Sequence, residues 1–142
     1  MQFWLSTAIA VASLGGCIPV DAECASDAAC TTGAICTDNS ECSAPADAPS
    51  WRITWTVNGA AVSLDEPGDC TVIEDLAVRV TSPAGTDDLN FRPVRCELGQ
   101  FEFRALPLRF SQVRLEAFDA SGLAATTGSS RDGDITTLDL VF

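Results

Sequence analysis

The sequence predicts an all-β protein: an antiparallel β-sandwich over residues 51–142, preceded by a small disulfide-rich segment and, at the N-terminus, a signal peptide. Three observations predict the sandwich. From residue 51 onward, apolar and polar residues alternate with a period of two, which is typical of half-buried strands. Turn signals separate these short segments at regular intervals, and no stretch has helical periodicity.

The first predicted strand shows the alternation most clearly. Trp51, Ile53, Trp55 and Val57 share one face, and the Asn58-Gly59 dipeptide that follows is a strong tight-turn signal. Further strands are predicted over residues 72–81, 89–96, 101–104, 112–119, 123–127 and 135–142. In the third of these seven strands Pro93 indicates an edge position or a bulge, since proline cannot donate to a strand ladder.

The N-terminus carries an apolar run from Phe3 to Leu14, followed by Gly15-Gly16-Cys17. The run is shorter than the roughly 20 residues that span a bilayer, and small residues after it are typical of a signal peptide. Leu14-Gly15-Gly16-Cys17 resembles the lipobox of bacterial lipoproteins. The resemblance implies that residues 1–16 are removed, that Cys17 is lipidated and that residues 17–23 form a tether. The alternatives are a non-lipidated secretory signal or an ordinary apolar strand or helix.

Cysteine counting agrees with this interpretation. The chain has seven cysteines, and lipidation of Cys17 leaves six, enough for three disulfides in an oxidising compartment. Four of the six recur at a constant spacing within residues 24–42, among small polar residues that cannot build an apolar core. These residues are predicted to be a disulfide knot. Zinc is disfavoured because its sites use shorter cysteine spacings.

The knot resembles the small "C-x5-C-x5-C" knots that precede folded domains in exported lipoproteins of Myxococcus-like bacteria. Spacing alone leaves the connectivity open, and the resemblance implies the pairs Cys24–Cys36 and Cys30–Cys42.

Cys70 and Cys96 remain as the third pair. In a hairpin centred near Thr86 they are not equidistant from the turn. Their bond therefore requires a bulge, a loop around Asp69-Cys70 that folds back, or a contact between sheets.

Residues 43–50 are small residues and prolines without apolar periodicity, and are predicted to be a semi-extended linker. The domain after it is similar to the Ig-like or carboxypeptidase-regulatory-type sandwiches of bacterial surface lipoproteins. The resemblance rests on Cys-x-x-Gly-x-Phe at residues 96–101, Leu106-Pro107 and the Val-x-Leu-x-Ala pattern at 113–117. Leu108-Arg109 departs from the Leu-Pro-Pro-Gly turn that is frequent in that family.

Composition excludes several classes of function. The formal net charge is −12, with eight arginines and no lysine, histidine or tyrosine. An acidic surface repels nucleic acid and lacks a polybasic grip on lipid, so acyl chains would be the membrane contact. Without histidine or lysine, the usual nucleophile–base arrangements are impossible. The carboxylate pairs Asp65-Glu66, Glu74-Asp75 and Asp87-Asp88 lie next to predicted turns, where solvation explains them. We expect no enzyme activity, no cofactor and no metal.

Two functions fit these features. The first is a membrane-anchored, non-enzymatic lipoprotein of the cell envelope with a structural role or an envelope protein as partner; Ile18 after Cys17 favours the outer membrane. The alternative is a carbohydrate- or cation-binding accessory module at the cell surface. Trp51 and Trp55 would then be a sugar platform, or Asp132-Gly133-Asp134 part of a calcium site. Exposed tryptophans would favour the alternative, and buried ones the first function.

Overall fold

A computed structural model describes residues 23–142. The predicted signal peptide, Cys17 and all of the predicted tether except Glu23 lie outside the described residues. The all-β fold class is confirmed, and the helices of the described part are short 3-10 turns. The strands are β1 (Ile35–Cys36), β2 (Cys42–Ser43), β3 (Trp51–Val57), β4 (Ala60–Ala61), β5 (Asp75–Thr81), β6 (Asp88–Val94), β7 (Gln100–Phe103), β8 (Gln112–Asp119), β9 (Gly122–Ser130) and β10 (Ile135–Leu140).

The 3-10 helices span three to five residues each: Asp27–Ala29, Pro45–Asp47, Gly68–Val72 and Cys96–Leu98. Within residues 23–142, no helix has the length and hydropathy needed to cross a membrane. The short turns connect strands or, in the knot, precede them, so the fold is built by the sheets.

The first sheet is organised around β3. On one side β3 pairs antiparallel with β7 and β4, and on the other it pairs parallel with β10. The parallel pair is an exception within the antiparallel sandwich that the sequence predicted. It arises because the chain leaves β9 in the second sheet and crosses to the first, where Ile135 at the start of β10 lies beside Arg52.

The second sheet has the order β6-β5-β8-β9 and is antiparallel throughout. Its β5–β6 hairpin contains a register shift between Leu76 and Val78. The prediction from Pro93 is confirmed on both counts, because β6 is an edge strand and its ladder is irregular near the proline.

The core lies between the inward faces of these two sheets, as the period-two pattern predicted. All four apolar side chains of β3 are buried, and Leu76, Val78 and Leu115 face them from the second sheet. An indole N–H taken out of water needs a hydrogen-bond acceptor. Both tryptophans of β3 have one: Trp51 Nε1 donates to Thr136 Oγ1 at 3.0 Å, and Trp55 Nε1 donates to the Cys96 carbonyl at 2.8 Å.

An aromatic cluster closes one side of the sandwich, where β6 of the second sheet meets β7 of the first. The ring centroids of Phe91 and Phe101 lie 5.2 Å apart, and those of Phe101 and Phe103 lie 5.1 Å apart. Trp51 extends the cluster into the core, 6.2 Å from Phe103. Aromatic pairs at such distances add to the stabilisation from buried area, so the contact between β6 and β7 holds the two sheets together on this side.

The knot, with its hairpin of β1 and β2, packs on the sandwich. The Asp38 amide donates to the Ala105 carbonyl at 2.8 Å, and the Ala105 amide donates to Asp38 Oδ2 at 2.9 Å. Arg109 pairs with Glu41 of the knot. Residues 43–50 are held as well, since Ala48 is buried and the Leu108 amide donates to the Asp47 carbonyl. Composition alone did not indicate this packing.

Arg131, between β9 and β10, ties the same segment to the sandwich. Its guanidinium donates to the carbonyls of Leu106 (3.3 Å), Pro49 (3.2 Å) and Ser50 (3.0 Å). It also lies over the Trp51 ring, with Cζ 4.9 Å from the centroid. Burial lowers the pKa of Arg131 from its usual value, although the group remains a cation at neutral pH.

Arg131→Met keeps most of the side-chain length and removes all three donors. We expect it to lower the free energy of unfolding by about 2–3 kcal/mol. One strong hydrogen bond to a charged group contributes about 1.5–3 kcal/mol, and the three bonds lost here are long or partly exposed to solvent, so each contributes less. Urea unfolding at neutral pH measures the change. Arg95→Met is the matched control, since the Arg95–Glu97 pair is exposed and such pairs contribute under about 1 kcal/mol. Equal effects of the two substitutions would contradict the assignment.

Candidate binding edge on the second sheet

The described residues contain three disulfides. The Cα–Cα separations are 5.8 Å for Cys24–Cys36, 5.6 Å for Cys30–Cys42 and 5.5 Å for Cys70–Cys96, within the usual range. These are the pairs that the sequence analysis gave, the first two from the resemblance. Lipidation of Cys17 stays a prediction.

The Cys70–Cys96 pair forms outside the strand ladders. Cys70 lies in the 3-10 helix Gly68–Val72, and Cys96 begins another 3-10 helix after β6. Because neither residue is in a strand, the hairpin register does not set their separation. Of the three routes that the sequence left open, the folded-back loop before β5 places the two cysteines together.

Within residues 23–142, no cluster of metal-ligating side chains matches the calcium site that was the alternative for Asp132-Gly133-Asp134. The sulfurs of Cys24, Cys30 and Cys42 lie within 4.8 Å of one another, but each belongs to a disulfide and is no thiolate. This is the only cluster of three or more such ligands in residues 23–142. Asp132 and Asp134 therefore lack a third acidic ligand there, and the Asp134 carbonyl accepts the Arg52 amide at 2.8 Å.

The predicted carboxylate pairs are partly accounted for by ion pairs. Asp88 accepts from Arg79, which holds the pKa of that carboxyl below its usual value. Arg92 Nε lies 2.9 Å from Asp75 Oδ1. Asp87 is 3.6 Å from Arg109. Arginines on the exposed surface thus neutralise several of the acids, and ion pairs so open to solvent add little to stability.

Trp51 and Trp55 do not form an accessible platform. Their side chains are 0% and 3% exposed, and both indole N–H groups are occupied within the core. A sugar ring stacks only on an aromatic face that it can reach. Of the two functions weighed from the sequence, this burial favours the first.

The feature that distinguishes the surface is the edge formed by β9. This strand has nine residues, Gly-Leu-Ala-Ala-Thr-Thr-Gly-Ser-Ser, with no charge and no proline, and it pairs with β8 alone. Exposed edges are normally protected by charges, prolines or shortness. At the opposite edge of the same sheet, β6 carries two charged residues and a proline: Asp88, Arg92 and Pro93. The β9 edge has none.

The outward backbone groups of β9 can be assigned from the ladder. The Arg131 amide donates to the Ser111 carbonyl, and the register pairs Ser129 with Val113 and Gly128 with Arg114. Backbone direction alternates along an antiparallel pair, so odd-numbered residues near this end point to β8. The N–H and C=O groups of Thr126, Gly128 and Ser130 therefore point away from the sheet.

An open groove of about 750 Å³ lies beside this edge. Its polar lining comes from the outer face of the second sheet and from β9 itself: Arg79, Thr81, Gln112, Arg114, Thr126, Thr127, Ser129 and Ser130. Gly128 lies in the same groove. The candidate site is thus a strand edge together with an adjoining groove for side chains.

Proline substitutions test the orientation of β9. Thr126→Pro removes an amide that points to solvent, whereas Thr127→Pro removes one that points to β8 and leaves its acceptor unpaired. We expect Thr127→Pro to be more destabilising by about 1–3 kcal/mol. Urea unfolding of the two variants measures the difference. A larger loss for Thr126→Pro would reverse the assigned orientation.

No family model, curated protein or solved structure matches this chain. Its function is therefore inferred from its own residues. The sequence predicted a short strand at 123–127, and nothing in the pattern of residues there singled out an edge strand. The available signal was the charge-free run of residues 122–130, in a chain of which 20% is charged.

Proposed function

We propose that the chain is a membrane-anchored, non-enzymatic lipoprotein of the cell envelope whose sandwich binds a partner protein by strand addition at β9. The open, uncharged edge of β9 is the observation that carries the binding part of the proposal. In this mode of recognition a partner strand pairs with the free backbone groups, and its side chains occupy adjoining pockets. The groove beside β9 offers such pockets.

The anchor is supported by the lipobox resemblance and by the disulfides. Seven cysteines occur, and the six within residues 23–142 are all paired. Cys17 is thus the remaining cysteine, as an acylated residue would be. Acylation with two or more chains would hold the protein firmly, whereas one chain gives marginal binding. Ile18, at the position after Cys17, supports the outer membrane as the location.

Metabolic labelling with a fatty-acid analogue tests the anchor. We expect the full chain to incorporate the label and to sediment with membranes, and Cys17→Ala to do neither. Cys70→Ala with Cys96→Ala is the matched control, because it removes two cysteines and leaves the acylated residue in place. Undiminished labelling of Cys17→Ala would contradict the anchor.

Photocrosslinking in the producing cell tests the binding edge. A benzophenone side chain at Thr126 lies on the free edge of β9. One at the exposed Glu102 lies on β7, which pairs with β3 on the side away from β10 and β9. We expect a discrete adduct from position 126 and none of the same mass from position 102. The same adduct from both positions, or adducts from 102 alone, would contradict binding at β9.

A further inference from the structure

Three residues form a row across the outer face of the second sheet and lead to the β9 edge. Arg79 of β5 is directly opposite Arg114 of β8, and Arg114 is directly opposite Gly128 of β9. Directly opposed residues project from the same face of the sheet. The next position in this row is empty, and a strand added at β9 would supply it.

Gly128 leaves the space between Arg114 and the free edge of β9 unobstructed. It has no side chain, so nothing at that position stands between Arg114 and the free edge. A Cβ built there would lie only 2.8 Å from the Val113 carbonyl oxygen, in backbone that cannot easily yield. The β8–β9 ladder thus disfavours any residue larger than glycine at position 128. The space over Gly128 on the outer face of the sheet is therefore a fixed feature of the fold.

Arg114 has unused hydrogen-bond donors. Among residues 23–142 its side chain makes no hydrogen bond, it is 61% exposed, and the nearest ion-pair partner is Glu116, with Nη1 and Oε1 3.9 Å apart. Arg79 beside it is engaged by Asp88 through Nε and Nη2. Asp88 binds Arg79 closely, whereas Arg114 has, among the described residues, only Glu116 at 3.9 Å as a counter-ion. Arg114 is therefore the cation of the row whose donors are free to bind an added ligand.

The distances suit a carboxylate on an added strand. Neighbouring strands lie about 4.8 Å apart, so a residue opposite Gly128 would be two spacings, about 10 Å, from Arg114 at the backbone. An arginine and a glutamate extended toward each other across a glycine can bridge that distance. An Arg–carboxylate pair can also be bidentate, which adds geometric specificity.

We propose that the β9 edge recognises an extended peptide segment carrying an acidic residue, which lies opposite Gly128 and binds Arg114. The inference rests on the proposed function, because it requires a strand at β9. A second copy of this chain does not supply the acid. β9 itself has no Asp or Glu, and the acids on the other edge strands are engaged, Asp88 of β6 by Arg79 and Asp139 of β10 by Thr56 and Gly59. The partner is instead an acidic strand of a different protein.

Three nine-residue peptides test the inference. They alternate threonine and valine, are blocked at both ends and carry Glu, Gln or Lys at the central position. Fluorescence anisotropy measures their binding to the full chain with its disulfides intact. We expect the Glu peptide to bind about tenfold more tightly than the Gln peptide and the Lys peptide to bind most weakly. That preference should fall to under about twofold in Arg114→Gln.

Arg52→Gln is the control, because Arg52 is similarly paired with a glutamate but lies on the first sheet; it should keep the tenfold preference. Equal binding of the Glu and Gln peptides to the unmodified chain would overturn the acid preference and leave strand addition standing. Failure of all three peptides to bind would overturn both. Self-association of the chain would also overturn the inference, in favour of a second copy as the partner, if Thr126→Pro abolishes the self-association and the peptides do not compete with it.

Discussion

Replacing Trp55 with alanine is expected to lower the free energy of unfolding by about 3–5 kcal/mol, the usual range for truncating a buried aromatic side chain. Its side chain is 3% exposed within the core between the sheets. Truncation leaves a cavity, and it also removes the indole N–H that donates to the Cys96 carbonyl at 2.8 Å. Urea unfolding with the disulfides intact measures the loss.

Two further variants separate the causes. Trp55→Phe keeps an aromatic ring in the core and removes the indole donor. It should lose about 0.5–1.5 kcal/mol for the hydrogen bond together with the effect of a smaller cavity, because the Cys96 carbonyl still accepts the Gly99 amide at 3.2 Å. Leu98→Ala is a control nearby, because Leu98 is exposed and its truncation should change stability by under about 1 kcal/mol. A loss below about 1 kcal/mol for Trp55→Ala would contradict the packing described for β3.

The second large effect is expected from Cys70→Ala combined with Cys96→Ala. The disulfide closes a separation of 26 residues, and a cross-link of that length stabilises by about 3–4 kcal/mol through the unfolded chain. Both half-cystines are buried in the sandwich core, so their loss also weakens packing. A clear fall in melting temperature should follow, without loss of the membrane attachment proposed for Cys17.

The matched control removes a knot disulfide, with Cys24→Ala and Cys36→Ala. That bond closes only 12 residues and lies outside the core cluster. Loop length alone makes it about 0.7 kcal/mol weaker. An unchanged melting temperature after loss of Cys70–Cys96 would contradict its role. Because Trp55 donates to the Cys96 carbonyl, the two large effects should not add when combined.

The sequence predicted those parts of the fold in which the local pattern is determined by burial. The alternation of β3 appears in the structure as four buried side chains on one face, and Pro93 correctly marked an irregular edge strand. The parallel pairing of β3 with β10 was not predictable, because it depends on where the chain crosses between sheets. The full length of β9 was missed because its small residues give little alternation.

The candidate site could not be predicted from the sequence, because it too depends on how the strands are arranged. The row Arg79–Arg114–Gly128 joins residues of three strands, and only the register brings them together. Each of the three is unremarkable alone: two exposed arginines and a glycine. The absence of charge in residues 122–130 was visible, yet its meaning depends on β9 being an edge, which is a property of the sheet order.

Hydrogen exchange at the amides of β9 tests the open edge most directly. In the free chain we expect the amides of Thr126, Gly128 and Ser130 to exchange rapidly and those of Thr127 and Ser129, which face β8, to be protected. Saturation with the Glu peptide should then protect the outward amides and leave the inward ones unchanged. Outward amides that are already protected in the free chain, or that remain unprotected with the peptide bound, would contradict strand addition at β9.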